Sequence, residues 1–191
     1  MKGSLALAAI VALFSCTTQP QSEENQGAEY AEITDSSPGD TLFRIPGDAY
    51  EMGEDFAYIN QKGDTIVPFG RYGLSFTDTI TTFGIVIDKS GGNNELIAIN
   101  PHGQRLYEVF WIDNGPDYLS DGLFRIIRNG KIGYADASGK IVIQPQFTCA
   151  YPFEDGRAKV ALDCKTVTDM DHFVMESDSW FYVDKMGEKT E

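Results

Sequence analysis

The sequence predicts an all-β chain of about four tandem antiparallel β-hairpin units, forming a solenoid-like or partial propeller-like array. Three observations carry this expectation. Residues 56–63, 96–103, 132–139 and 180–187 align as a short apolar run, then Asn or Asp, two residues, and Gly. The glycines fall 40, 36 and 48 residues apart, a period suited to supersecondary repeats. Finally, 12 Phe, 9 Tyr, 2 Trp, 19 Gly and 8 Pro fit an aromatic-rich strand protein with many tight turns better than long amphipathic helices. At 191 residues the chain holds one domain with a core and short accessory segments.

Each hairpin follows from turn chemistry. The paired positions Asn60 and Gly63, Asn100 and Gly103, Asp136 and Gly139, and Asp184 and Gly187 are read as turn-forming. An Asn or Asp side chain bonds backbone amides just ahead of it, and Gly takes the positive φ that closes the turn. Second strands are expected over 64–68, 104–109 and 140–145. A further glycine follows each hairpin glycine: Gly84, Gly122 and Gly156 lie 21, 19 and 17 residues on, keeping register within each unit. Ala158, Val160 and Leu162 then share one strand face. A unit of about three strands cannot bury its own apolar face, so stacked neighbours are expected to cover it.

The N-terminus reads as a leader. Lys2, the apolar run from Leu5 to Phe14, then Ser15 and Cys16 give the signal-peptide layout over residues 1–15. Leu13-Phe14-Ser15-Cys16 resembles a bacterial lipobox, which implies cleavage before Cys16, acylation of its thiol and a membrane surface as partner through the lipid. Residues 16–40 are rich in Ser, Thr, Gln, Glu and Pro and are expected to form a flexible tether, with an edge strand over 29–34 as the alternative. The repeat domain then spans 41–191.

Charge and reactive residues narrow the function. The net charge of −14, with no cluster of bases, would repel a phosphate backbone, so no nucleic acid partner is expected. Cys149 and Cys164 can form one disulfide or remain two separate buried thiols. The two histidines, His102 and His172, lack zinc-type spacing, and neither a serine elbow, a phosphate loop nor a dinucleotide fingerprint is present. No catalytic residue, metal site or cofactor is therefore assigned. The acids between Cys164 and Ser179 read as a solvated, loop-like insertion. Tyr107, Trp111 and Tyr118, with Phe110, mark either a surface for stacking on sugar rings or anchoring a protein, or else core packing, the stronger of the two readings.

Residues 130–160 closely resemble the WG repeat found in many bacterial envelope proteins. The match runs through Gly130, Gly133, Tyr134, Asp136, Gly139, Val142, Ile143, Pro145, Phe147, Ala150, Phe153, Gly156, Ala158 and Val160. Ile132 stands where the family has its Trp, and the last unit has Trp180 followed by Phe181 in place of Gly. The resemblance implies a WG-like β-repeat array, common on secreted or lipid-anchored proteins, with a binding or scaffolding role and no catalytic residues. The function expected is a lipid-anchored, non-enzymatic binding or scaffolding module of the bacterial cell envelope with a protein or glycan partner. The competing readings are an envelope glycan hydrolase using paired carboxylates and a purely structural spacer.

Overall fold

The computed structural model describes residues 39–48, 54–169 and 172–190. The leader, Cys16 and nearly all of the tether lie outside the described residues. Among the described residues the chain is all-β, antiparallel throughout and without a helix. Short runs of β-branched and aromatic residues, broken every few positions by Gly, Asn or Asp, leave no stretch long enough for a helical face.

The strands group into four three-stranded meanders with short strands between them. The first contains β1 (Leu42–Pro46), β2 (Phe56–Ile59) and β3 (Thr65–Val67), followed by β4 (Leu74–Ser75) and β5 (Thr79–Ile80). The second contains β6 (Gly84–Asp88), β7 (Glu95–Ile99) and β8 (Arg105–Val109), then the ribbon β9 (Trp111–Ile112) and β10 (Gly115–Pro116). The third contains β11 (Leu123–Arg128), β12 (Lys131–Asp136) and β13 (Ile141–Phe147), followed by β14 (Cys149–Ala150). The fourth contains β15 (Arg157–Ala161), β18 (Phe181–Asp184) and β19 (Lys189–Thr190), with the ribbon β16 (Lys165–Asp169) and β17 (His172–Glu176) inserted after β15. The first sheet runs β3-β2-β1-β5, and the last runs β14-β15-β18-β19. Between them, the second and third meanders merge edge to edge as β13-β12-β11-β8-β7-β6-β4.

One turn recurs four times. The amides of Gly63, Gly103, Gly139 and Gly187 each donate to the carbonyl of the Asn or Asp three residues earlier, at 3.0, 2.9, 2.8 and 2.9 Å. The Oδ1 atoms of Asn60, Asn100, Asp136 and Asp184 each accept two backbone amides, two and four residues ahead. Side chains that in water would be solvated are thereby consumed by the turn.

A second turn type joins the first strand of a meander to what flanks it. Asp121-Gly122, Asn129-Gly130 and Asp155-Gly156 have positive φ at both positions, the pattern of the tight primed hairpin turn. Gly84 departs from its aligned partners: it begins β6 and is absent from the positive-φ positions. The residue before it is Phe83, a bulky side chain poorly suited to the left-handed region that Asp tolerates.

Burial alternates along the strands so that neighbouring meanders share cores. Leu42, Phe56, Tyr58 and Val67 of the first meander pack with Val86, Ile97 and Ile99 of the second. The opposite face of the second sends Ile87, Leu96, Ala98 and Leu106 against Phe124, Ile126 and Ala135 of the third. Leu123, Ile132, Tyr134, Ile143 and Phe147 then pack with Ala158, Val160 and Val183 of the fourth. The period of two thus feeds one strand into two cores: β7 gives Ile97 and Ile99 to one side, Leu96 and Ala98 to the other.

Two readings are corrected here. Tyr107 is not part of an aromatic surface: it is 0% exposed, and its hydroxyl donates to the Gly139 carbonyl at 2.7 Å. Its position on β8 points it into the second core, where it packs against Phe124. The insertion after Cys164 is a hairpin, not a loop, with β16 and β17 paired over five positions. Thr166, Val167, Phe173 and Val174 supply the strand-forming residues. Cys149 and Cys164 are joined by a disulfide that ties this insertion to β14.

Candidate functional site

A groove of about 560 Å³ lies beside β15 and β18, within the size range of ligand-binding clefts, about 300–1,000 Å³. Its walls include Tyr118, Tyr151, Phe153, Arg157, Lys159 and Tyr182. Three of the tyrosines are solvent-exposed, Tyr118 at 58%, Tyr151 at 37% and Tyr182 at 38%.

Local structure explains each position. Tyr182 and Lys159 are directly paired across β18 and β15. Tyr151 follows β14 and is held by the bond from its amide to the Lys159 carbonyl, at 2.9 Å. Tyr118 precedes the Ser120–Leu123 turn, which is fastened to the groove when the Ser120 hydroxyl donates to the Phe153 carbonyl at 2.6 Å. The cations lie on aromatic faces. The Arg157 guanidinium is 4.8 Å from the Tyr182 ring centre, and the Lys159 ammonium is 4.9 Å from that of Trp180 and 5.8 Å from that of Tyr151. Among the described residues neither cation makes an ion pair.

The aromatic candidates are not brought together. Tyr118 lines the groove and Tyr107 is in the core. Trp111 is exposed on β9 and spends its indole N–H on the Asp113 carbonyl, 2.7 Å away. Phe110 is partly buried beneath the Arg125 guanidinium, 4.0 Å from its ring centre. Of the groove's other contributors, Tyr151, Tyr182, Arg157 and Lys159 are not among the candidate site residues of the sequence; Trp180, noted there only as a repeat residue, packs behind them on Tyr151 and Lys159. The available signal was Lys159 on a strand otherwise alternating small apolar residues, with an aromatic pair, Tyr151 and Phe153, just upstream.

Burial, neighbouring charges and local hydrogen bonds set the shifts of the ionisable groups. Glu154 and Asp155 also line the groove, but both are exposed on the Asp155-Gly156 turn. Burial and the nearby Asp136 raise the Tyr107 hydroxyl pKa, and burial raises that of Tyr134. Burial and Glu95 raise the Glu108 carboxyl pKa. At Asp136 burial pushes upward, but bonds from Ser138 and the Lys140 amide, with the Lys140 charge, outweigh it and hold the carboxyl below its ordinary value. His102 is exposed in its turn. Among the described residues no three His, Cys, Asp or Glu side chains converge to hold a metal ion.

The comparisons with known proteins bear on the middle of this structure. Residues 132–163, from within β12 to just beyond β15, match the family model described as WG containing repeat. No curated protein and no solved structure matches the chain.

Proposed function

We propose that the chain is a non-enzymatic binding or scaffolding module, held at the bacterial cell envelope by a lipid on Cys16, whose four meanders stack as a WG-like repeat array. The observation that carries the binding reading is the groove on the fourth meander. It presents three exposed tyrosines, the exposed Arg157 and the half-buried Lys159, the two cations without ion-pair partners among the described residues, in a chain where acids outnumber bases 29 to 15. Exposed aromatic faces beside cations suit partner recognition because they offer large contact area at low entropic cost. The array reading is supported by the three apolar clusters, each drawn from consecutive meanders. The anchor rests on the leader pattern before Cys16.

Hydrolysis is the weaker reading. A glycosidase general acid needs apolar enclosure to keep its proton near neutral pH, whereas Glu154 and Asp155 stand in solvent. A spacer with no partner would have little use for exposed aromatics gathered in one concavity.

Two measurements test the proposal in intact cells. Cys16→Ser is expected to move the protein from the membrane fraction to the soluble one; unchanged sedimentation with membranes counts against the anchor. A photoreactive side chain in place of Tyr118 is expected to give an adduct of defined mass that the same group at exposed Gln144 does not. Equal capture at both positions, or none, counts against a binding groove.

A further inference from the structure

The groove repeats a side-chain pair that is already filled elsewhere in the molecule. In the first meander Arg44 and Tyr58 face each other across β1 and β2. In the third, Arg125 faces Tyr134 across β11 and β12, and in the fourth Lys159 faces Tyr182 across β15 and β18. The tyrosine stands two residues before the turn Asn or Asp in all three. The second meander has Ile85 and Ala98 at these positions, which donate no side-chain hydrogen bond.

In the first and third meanders the pair reads the backbone of a chain segment that crosses over it. Arg44 Nη1 donates to the Ser75 carbonyl at 3.0 Å, while the Tyr58 hydroxyl donates to the Thr77 carbonyl and meets the Ser75 hydroxyl. Arg125 Nη1 donates to the Ala150 carbonyl at 3.0 Å, and the Tyr134 hydroxyl to the adjoining Tyr151 carbonyl at 2.7 Å. Both crossing segments place a small buried residue on the arginine's acceptor, Ser75 and Ala150, and follow it with an exposed aromatic, Phe76 and Tyr151. In the fourth meander neither side chain of the pair makes a hydrogen bond among the described residues. Tyr182 is exposed, and Lys159 rests on the rings of Tyr151 and Trp180, where its third-meander counterpart Arg125 is neutralised by Asp117.

We propose that the groove at Lys159 and Tyr182 binds an extended polypeptide segment of a partner protein, donating to two of its backbone carbonyls and burying a small side chain between them. This rests on the binding-module reading and names the ligand class of that site. Main-chain recognition gives affinity, and the space for one small residue gives selectivity, as in other modes that capture extended peptides. The precedent is chemical and local: a cation and a tyrosine hydroxyl at the same cross-strand positions, arginine standing where the groove has Lys159, already hold such a segment twice in this chain. A saccharide would use the tyrosine faces but has no need of the carbonyl-directed pair.

The test is a calorimetric titration of the full chain with a synthetic peptide copying residues 72–80, whose Ser75 and Phe76 supply the small-aromatic sequence. Saturable binding is expected. Tyr182→Phe and Lys159→Met should each weaken it about ten-fold, the loss of one hydrogen bond to a partly desolvated acceptor. The thermal midpoint of both variants should stay within a degree or two of the wild type, since neither side chain is enclosed. Replacing the peptide's Ser75 equivalent by Leu should abolish binding with the protein untouched. No binding at millimolar peptide, or equal binding by both variants and the Leu peptide, overturns the proposal. If an N-acetylglucosamine tetramer binds where the peptide does not, the peptide assignment fails and the binding-module reading stands. If neither probe binds, both lose support.

Discussion

In the third meander Arg125 and Tyr134 sit under the segment that runs through Ala150 and Tyr151, and both are buried. In the fourth, Lys159 and Tyr182 occupy the same places across the same kind of strand pair and face an open groove. The surrounding residues differ accordingly. The third meander supplies Asp117 to neutralise its arginine, with side chains 5% and 1% exposed, whereas the fourth supplies the Tyr151 and Trp180 rings to a lysine. A buried guanidinium must be paired and fully hydrogen-bonded to be tolerated, while a half-solvated ammonium rests on aromatic faces at little cost. One sheet face is therefore core or surface according to what crosses it, and the side chains follow.

That comparison can be broken most severely at the ion pair. Asp117→Ala leaves Arg125 charged and enclosed, and should cost about 3–5 kcal/mol in denaturant unfolding. Lys159→Met should stay within about 0.5 kcal/mol of the wild type. Similar losses at both sites would mean that the two meanders are not differently closed.

The turn glycines sharpen the same contrast at smaller size. Gly139 and Gly187 share a φ of +84° and +83°, so any L side chain is strained at either. A Cβ at Gly139 would meet the Phe83 ring at 2.5 Å, whereas one at Gly187 would meet Ile143 at 3.2 Å. Gly139→Val should cost about 3 kcal/mol, combining backbone strain with overpacking. Gly187→Val should cost less, about 1–2 kcal/mol, because the strain is the same but the Ile143 side chain has only to yield slightly. A neutral Gly139→Val would argue that the turn is not built as described.

The smallest expected effect is in acid. Because the Asp136 carboxyl titrates below its unfolded value, its contribution to stability is complete above the ordinary carboxylate range and is lost as the pH falls through the depressed value. Asp136→Asn keeps the acceptor for the Ser138 and Lys140 amides, as Asn60 and Asn100 do for theirs. The variant should therefore show a shallower loss of stability on acidification. An unchanged acid profile would place the pH dependence elsewhere.

The turns were legible in the sequence because their chemistry is local: one Asn or Asp and one Gly, three residues apart, determine the hydrogen bonds. The primed turns at Asp121-Gly122 and Asp155-Gly156 carry an equally local signal, of which the sequence reading uses only the recurring glycine. The hairpin after Cys164 was obscured by its acids, which outweighed the β-branched residues between them in a reading by polarity. Tyr107 and Tyr118 look alike in sequence and end in a core and in a groove. Sheet register and the crossing segments decide that difference, and both are contacts between distant residues. The pairing of Arg125 with Tyr134, and of Lys159 with Tyr182, was hidden for the same reason.

Nitration of native protein with tetranitromethane, followed by peptide mapping, tests the closed-versus-open distinction most directly. Tyr182 and Tyr151 should be modified readily while Tyr58 and Tyr134 stay protected until the protein unfolds. Protection of Tyr182 equal to that of Tyr134, or modification of Tyr134 at the same rate as Tyr182, would contradict it.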